Sequence, residues 1–466
     1  MNQASLREYF DLLALKRDLW RHRNFYYHKS LTNLCRFLIP DNSTVLEIGC
    51  GTGELIKSIN PIRGMGVDIS QKMIEIASKK YPDLSWIVSS VEDMSHMKDN
   101  FEYVLMSDLV GYLEDIETDF CEIRRLCRSN TRLIITYSNY LWEPLLKIAE
   151  FFHIKAKQPI QNWISLQDLE NILILSDFDI VKRGSKMIIP VYIPIVSFLF
   201  NKVIANLPVI SRLCLIQYLV ARPVVKSKKD YSVSVVIPTR NEKGNIENAI
   251  KRLPNFGSGQ EIIFVEGHSS DGTLEEIKRI ADKYKDKKIR YAVQTGKGKG
   301  DAVRLGFNMA KGEILMILDA DLTVPPEDLP KFYKAIASGK GEFINGSRLV
   351  YPLEKESMRF FNILGNKFFS IMFSWILGQR IKDTLCGTKV LFKSDYEKIS
   401  LGRKFFGDFD PFGDFDLLFG AAKLNLKIVE IPIHYKARLY GETNISRWRH
   451  GWLLLKMTFF AISKFK

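Results

Sequence analysis

Apolar positions along the chain change their spacing twice. Over residues 1–40, Leu6, Tyr9, Phe10 and Leu13 recur three and four apart, which predicts helices. From Val45 the spacing gives way to short apolar runs, VLEIG, GVDI, WIVS, YVLM and RLIITY, separated by amphipathic stretches. Such alternation predicts a parallel sheet with crossover helices. Residues 187–221 form an apolar stretch punctuated by prolines, which reads as a cap over a pocket or a lipid contact. The polar, basic run at 222–231 predicts a linker. A second alternation starts at Val233 with VSVVIP, EIIFVE, IRYAVQ, EILMILD and EFINGS, and after about residue 355 aromatic-rich helices replace the strands. The two halves place their glycines and acids differently, so they are not repeats. The pattern predicts two α/β domains, residues 1–221 and 232–466.

No segment reaches the roughly 20 apolar residues that a spanning helix needs. The longest uncharged run, Met187–Asn201, is broken by Pro190 and Pro194. The N-terminus carries acids early and lacks a continuous apolar core, so a signal peptide is not expected. Composition adds less. Apolar residues make up 46% and charged residues 26% of the 466, which excludes a disordered chain. The six cysteines form no CxxC pair and have no neighbouring histidine set, which argues against a disulfide framework or zinc site and for a reducing compartment. The net charge of +14 suits nucleic acid, an anionic membrane surface or phosphorylated small molecules.

The first candidate chemistry stands in VLEIGCGTGEL. Glu47, Gly49, Gly51 and Gly53 follow a predicted strand and precede a predicted helix. Glycines there let the backbone turn tightly and approach a ligand, and the following helix offers free N–H groups. The next strand ends with Asp68, an acid placed to bind two ribose hydroxyls. The glycine spacing differs from the GxGxxG of dinucleotide-binding oxidoreductases. This combination resembles the class I S-adenosylmethionine-dependent methyltransferases over roughly residues 40 to 140. The resemblance implies a Rossmann-like sheet that binds S-adenosylmethionine through Glu47, Gly49, Gly51, Gly53 and Asp68. It also implies that Ser107 and Asp108 line the pocket, and it leaves the adenine edge to Glu92 or Asp93, or to backbone. Ser89 and Ser90 stand where the family often has an acid. His153, Tyr137 and Tyr140 are candidates near a methyl acceptor by polarity alone.

The second constellation gathers acids at strand ends. VSVVIPTRNE puts Pro238, Asn241 and Glu242 at one tip, VEGHSSDGT puts Glu266 and Asp271 at the next, and ILDADLT puts Asp319 and Asp321 at another. Ligands of open α/β sheets bind outside the carboxyl ends of the strands, so these acids should converge. A DxD turn presents two carboxylates to one hard cation, Mg²⁺ or Mn²⁺, which keeps positions open for diphosphate oxygens. Over approximately residues 232 to 440 the chain resembles the inverting family 2 glycosyltransferases of GT-A fold, in particular the branch acting on dolichyl or undecaprenyl phosphate. The resemblance implies a nucleotide-sugar donor and a polyprenyl-phosphate acceptor. Pro238, Glu242 and Asp271 would hold the nucleoside, with Asp319 and Asp321 on ribose and metal. Lys297, Lys299 and Arg304 would face phosphates. Arg348, Arg438 and Thr443 fit a phosphate acceptor, because arginine presents a planar fork to phosphate oxygens. Asp414 and Asp416 match the family's acidic pair, as base for a hydroxyl acceptor or as positioning groups for a lipid phosphate. Glu266 departs from the usual Asp, and Thr323 from a polar amide.

Aromatic helices with sparse cations at 358–378 and 447–466 suit a lipid interface or packing as core or as an oligomer contact, and the resemblance to enzymes with lipid acceptors favours peripheral association at the cytoplasmic face of a membrane. Two rivals stay open. The N-terminal half is a non-catalytic scaffold for the glycosyltransferase, or the chain is a nucleic-acid methyltransferase. No aromatic–basic reading motif supports the second, and no nucleic-acid partner is expected.

Overall fold

The computed structural model describes residues 3–97, 100–351, 360–405, 415–438, 440 and 447–465. The chain divides into two compact units, Met1–Val224 and Val225–Lys466. The first begins with α1 (Gln3–Ala14), α2 (Arg17–Arg23) and α3 (Phe25–Leu38). Then follow β1 (Thr44–Ile48), α4 (Glu54–Ile59), β2 (Arg63–Asp68), α5 (Gln71–Lys80), β3 (Ser85–Val88) and β4 (Tyr103–Ser107). The unit is completed by α6 (Ile116–Leu126), β5 (Arg132–Ser138), α7 (Glu143–Phe151), α8 (Leu166–Leu175), β6 (Phe178–Lys186), α9 (Val196–Phe198) and β7 (Ile216–Pro223).

These strands make one seven-stranded sheet of order β3-β2-β1-β4-β5-β7-β6. The order reverses at β1, which pairs in parallel with both β2 and β4 (Ile48 opposite Val67 and Met106). Alternate residues of a strand point to opposite faces. Accordingly Val45, Tyr103 and Leu105 join one core with Leu34, Leu38 and Ile56, while Leu46, Val104 and Met106 join another with Phe120, Ile123 and Leu169. Helix starts are fixed locally: Ser70, Asp115 and Ser165 each accept a backbone N–H of the following turn.

The second unit contains β8 (Ser232–Thr239), α10 (Lys243–Arg252), β9 (Gly259–Glu266), α11 (Thr273–Lys283), β10 (Lys288–Val293), α12 (Lys299–Met309) and β11 (Ile314–Ile317). It continues with α13 (Leu329–Ala337), β12 (Phe343–Ser347), α14 (Phe360–Leu377), β13 (Lys389–Phe392), α15 (Lys393–Leu401), α16 (Phe415–Lys423), β14 (Ile428–Pro432) and α17 (Arg447–Phe465). Its sheet has the order β10-β9-β8-β11-β13-β12-β14. Val233, Val235 and Ile237 of β8 pack with Ile246, Ile277 and Phe332 on one side. On the other side α12 lies close, and a Cβ on Gly306 would come within 2.3 Å of Val236.

Three expectations need correcting. Each sheet has seven strands where five were expected, because β6, β13 and β14 carry mixed or very short patterns and β7 lies inside a longer apolar run. Neither sheet is wholly parallel: β7 runs antiparallel to β5 and β6, and β13 antiparallel to β11 and β12. The apolar stretch 187–221 is also not all cap. From Ile216 it is β7, buried along its length, and β7 takes Arg222 and Pro223 out of the expected linker.

Candidate active sites

In the first unit, β1 ends at Ile48 and the chain turns through Gly49, Gly51 and Gly53, with φ of +74°, +53° and +80°. L-residues with side chains rarely adopt such values. Gly49 and Cys50 donate their N–H groups to the Val67 carbonyl at 2.8 and 3.0 Å. The Asp68 carboxylate then clamps the turn, accepting from Gly51 N at 2.8 Å and Ser70 N at 2.9 Å. Burial raises the Asp68 carboxyl, and these two N–H groups oppose the rise. Each of its oxygens keeps a second lone pair for a ligand hydroxyl.

A cavity of about 350 Å³ lies along the carboxyl ends of these strands, with Gly49, Gly51, Asp68, Glu92, Ser107 and Asp108 in its wall. Ser107 accepts the Thr136 hydroxyl at 3.0 Å. Asp108 accepts the Tyr27 hydroxyl at 2.8 Å, while its other oxygen is buried without a partner among the described residues. Three predicted cofactor residues stand elsewhere. Glu47, 2% exposed, accepts Ile56 N at 3.0 Å and so caps the first turn of α4; it lines a small side pocket that shares Gly49, Ser107 and Asp108 with the cavity, and not the cavity itself. Burial pushes its carboxyl up to about 8, against the Ile56 N–H and the charges of Arg21 and Arg17. A Cβ on Gly53 would fall 2.2 Å from the Trp86 ring, so this glycine serves packing and the turn. Asp93 accepts the Ser90 hydroxyl at 2.9 Å and does not line the cavity. Among the acceptor-side candidates Tyr137 lines the cavity; His153 and Tyr140 do not.

Sequence reasoning missed the contribution of the N-terminal helices. Arg17 lies over the glycine turn, its Nε 3.3 Å from where a Gly51 Cβ would be, and Tyr27 and His28 also reach the cavity. Asp119 of α6 was missed too. It is 1% exposed, lines the cavity, and neither of its oxygens has a partner among the described residues. Burial, and next the charge of Glu92, push its carboxyl up to about 7. The helical periodicity marks these segments as helices; nothing in it says which face meets a pocket.

In the second unit the strand-end acids converge. Arg438 donates to Glu242 Oε1 at 3.0 Å and to Asp321 Oδ2 at 2.8 Å, joining the ends of β8 and β11. Burial holds the Glu242 carboxyl above its ordinary value against Arg438 and Asn245, and Asp321 and Asp271 push it the same way. Asp271, beyond β9, accepts Lys243 N at 3.2 Å and Thr273 N at 3.0 Å. Burial would raise its carboxyl, but these bonds and the Thr273 hydroxyl outweigh it and keep it low. The Tyr440 hydroxyl reaches Asp271 at 3.4 Å. Asn241, at φ +56°, accepts Ser270 N at 2.9 Å and ties the β8 and β9 loops together. Pro238 sits opposite Val265 at the end of the β8–β9 ladder. Asp319 pairs with Lys299 at 2.7 Å, and Lys297 is exposed on the preceding loop. Asp321 also accepts the Thr323 hydroxyl at 2.8 Å, so one of its oxygens is engaged within its own turn.

Other predicted groups are committed to the fold. Glu266 is buried and accepts Ser269 N, which makes it a loop-holding residue. The fork of Arg348 is filled by Asp383, with bonds of 2.7 and 2.8 Å, and Tyr435 lies beneath it. Its expected phosphate role is not supported by this geometry. Arg304 faces Asp416 at 3.5 Å, and Arg403 holds the same carboxylate at 3.2 Å. Asp414 and Thr443 lie outside the described residues. Among the described residues no group of three or more His, Cys, Asp or Glu could hold a metal ion.

Residues 46–135 match the model of a methyltransferase domain, and residues 234–399 that of glycosyl transferase family 2. The chain is similar to a dolichol-phosphate mannosyltransferase of Pyrococcus furiosus, 34% identical over 236 residues, covering 48% of this chain and 64% of that one. It is also similar to an undecaprenyl-phosphate 4-deoxy-4-formamido-L-arabinose transferase of Edwardsiella ictaluri, 33% identical over 111 residues, covering 23% and 34%. Among solved structures, an S-adenosylmethionine-dependent methyltransferase of Thermotoga maritima aligns with a TM-score of 0.37 at 16% identity, covering 46% of this chain and 98% of that one. The chain thus spans less than two thirds of the length of these curated relatives.

Proposed function

We propose, for a chain that carries a Rossmann-like methyltransferase domain followed by a GT-A family 2 glycosyltransferase domain, that the second unit moves a sugar from a nucleotide donor to a polyprenyl phosphate. The observation that carries this reading is Arg438 bridging Glu242 and Asp321, with Asp271 in their field. Acids from three separate strand ends and one guanidinium make a rim suited to a nucleoside and its diphosphate. Glu242 and Asp271 hold the nucleoside, while Lys297 and Lys299 face the diphosphate. Magnesium takes one or two protein carboxylates and fills its shell with water and phosphate oxygens, so two acids on one turn would suffice once Lys299 and Arg438, which hold them here, turn to the diphosphate. Asp319 and Asp321 would hold that ion or Mn²⁺, which would offset charge on the leaving diphosphate. The names of the relatives favour a lipid phosphate as acceptor. Such an acceptor is already ionised, so Asp416 positions and does not abstract a proton. In-line attack inverts the anomeric carbon. The reaction takes place at the cytoplasmic face of a membrane.

The first unit binds S-adenosylmethionine, with Asp68 on the ribose and the Gly49–Gly51 turn against the ligand. The cofactor supplies an electrophilic methyl group to an acceptor in the same cavity.

Nucleotide sugars offered one at a time to the full chain, with Mg²⁺ and polyprenyl phosphate, should give one glycolipid by mass. No product from any donor overturns the sugar-transfer reading. A chelator should abolish the activity and added Mg²⁺ or Mn²⁺ restore it; Asp321→Ala should lower turnover by roughly 100-fold or more. Calorimetry with S-adenosylhomocysteine tests the first unit, and Asp68→Ala should weaken binding by roughly tenfold or more.

A further inference from the structure

The segment 187–213 is built inside out. Ile195, Phe198 and Val209 are 82%, 66% and 78% exposed, whereas Ser197 is 1% and Asn206 8% exposed. The buried and half-buried polar groups satisfy the segment's own backbone. Asn201 accepts Ile188 N at 2.7 Å and Ile189 N at 2.9 Å and donates to the Ile189 carbonyl at 2.8 Å. Ser197 accepts Ile193 N at 2.7 Å and donates to Val191 O at 2.8 Å. Against water such an arrangement is unfavourable, because it spends hydrogen-bonding side chains inside and leaves large apolar ones outside. Against hydrocarbon it is what the physics requires, since backbone groups there must find partners within the chain.

A second element shares the face. Helix α7 has no buried residue, and its Leu145 and Ile148, with Leu141 in the turn before it and Phe152 at its C-terminal cap, are all exposed. The two pieces are joined: the Trp142 indole donates to Leu213 O at 2.8 Å, and the Asn139 amide to Arg212 O at 2.8 Å. Both also contribute to the wall of the cavity of the first unit, through Leu146 and Ala149 on one side and Pro190 and Val191 on the other. Residues 187–213 carry Lys202 and Arg212 and no acid, and the two acids of α7, Glu143 and Glu150, are paired with Lys147 and Lys155.

We infer that this face of the first unit seats on an anionic lipid bilayer, with the cavity rim at the headgroup level. The apolar side chains enter the acyl boundary and Lys202 and Arg212 lie among the headgroups, as interfacial segments do. If the first unit transfers methyl groups, as proposed above, its acceptor enters from the bilayer; that clause alone rests on the methyl-transfer reading.

The test uses the full chain with Cys121→Ser, which removes the exposed thiol and leaves five buried ones. An environment-sensitive fluorophore is attached at Phe198→Cys or, separately, at Asp83→Cys, an exposed position before β3 at the opposite edge of the sheet. Vesicles of phosphatidylcholine and phosphatidylglycerol in equal parts should shift the emission at 198 to the blue and leave 83 unchanged. Vesicles of phosphatidylcholine alone, or Lys202→Glu with Arg212→Glu, should weaken the response by roughly tenfold or more. An unchanged emission at 198 overturns the inference even if the chain floats with vesicles, since the second unit would then be the anchor. A shift at 198 that follows protein concentration without lipid also overturns it, in favour of a second copy as the occupant. S-adenosylhomocysteine binding is measured on the same protein without vesicles, so loss of the methyl-donor reading and loss of the docking face are separate results.

Discussion

Glu47 shows how one side chain acts on a site it does not line. Its carboxylate accepts Ile56 N and holds the start of α4, and that helix carries the glycine turn. Its burial has a pH consequence. An acid whose folded pKa is raised contributes stability below its ordinary value of 4.5 and loses it as pH climbs through about 8. Glu47→Gln keeps the acceptor and removes the ionisation. Between about pH 5 and about pH 9 the melting temperature of the wild type should therefore fall further than that of Glu47→Gln; parallel curves would show that Glu47 ionises freely in the fold. Arg348 teaches the complementary lesson. It matched a phosphate-binding arginine in sequence, but Asp383, thirty-five positions away, fills its fork. Burial would raise the Asp383 carboxyl, and Arg348 outweighs it and holds the acid low. A side chain's type is written in the sequence; its partner is not.

At the scale of elements, turns were more legible than strands. Gly49 and Gly51 were recognised because a positive φ narrows the choice of residue to glycine. The end of the DxD loop depends on a glycine that no motif marked. A Cβ on Gly387, just before β13, would stand 1.8 Å from Asp319 Oδ2 and 2.5 Å from Lys299 Nζ. Gly387→Ala should thus displace this ion pair and lower nucleotide-sugar turnover by roughly tenfold or more, while costing about 1–3 kcal/mol in urea unfolding. Full activity would mean that Asp319 has room to move without loss. Strand β6, FDIVKRGSK, is hard to read because it is an edge strand whose apolar positions are interrupted by charged ones, with Lys182 itself buried. Strand β7 escaped because a continuous apolar run reads equally well as a buried strand or as a lipid-facing segment. The same ambiguity hid the boundary between β7 and the inside-out segment before it.

For the whole molecule, each unit has its own hydrophobic core and its own site. Ligand linkage should therefore separate them. S-adenosylhomocysteine at about 100 times its Kd adds about 2.7 kcal/mol to the fold that binds it. Calorimetric unfolding of the full chain should show two transitions, one moved upward by this ligand and the other by a nucleoside diphosphate with Mg²⁺. A single transition moved by both would mean that the units unfold as one. The sequence by itself determined that there are two α/β domains, that glycines and Asp68 follow one pair of strands, and that acids end the strands of the other. Those features are local: strand periodicity, backbone conformations open to glycine, and the connection of a strand to its next loop act over a few residues. Tertiary structure decided which acids meet Arg438, which arginines are consumed by Asp383 and Asp416, and which faces of α2, α3 and α6 complete the first cavity. It also decided that an apolar stretch turns Ser197 and Asn206 inward. Those outcomes depend on pairings between positions far apart in the chain, and on the three-dimensional balance between burying a polar group and leaving an apolar one outside, which no local pattern encodes.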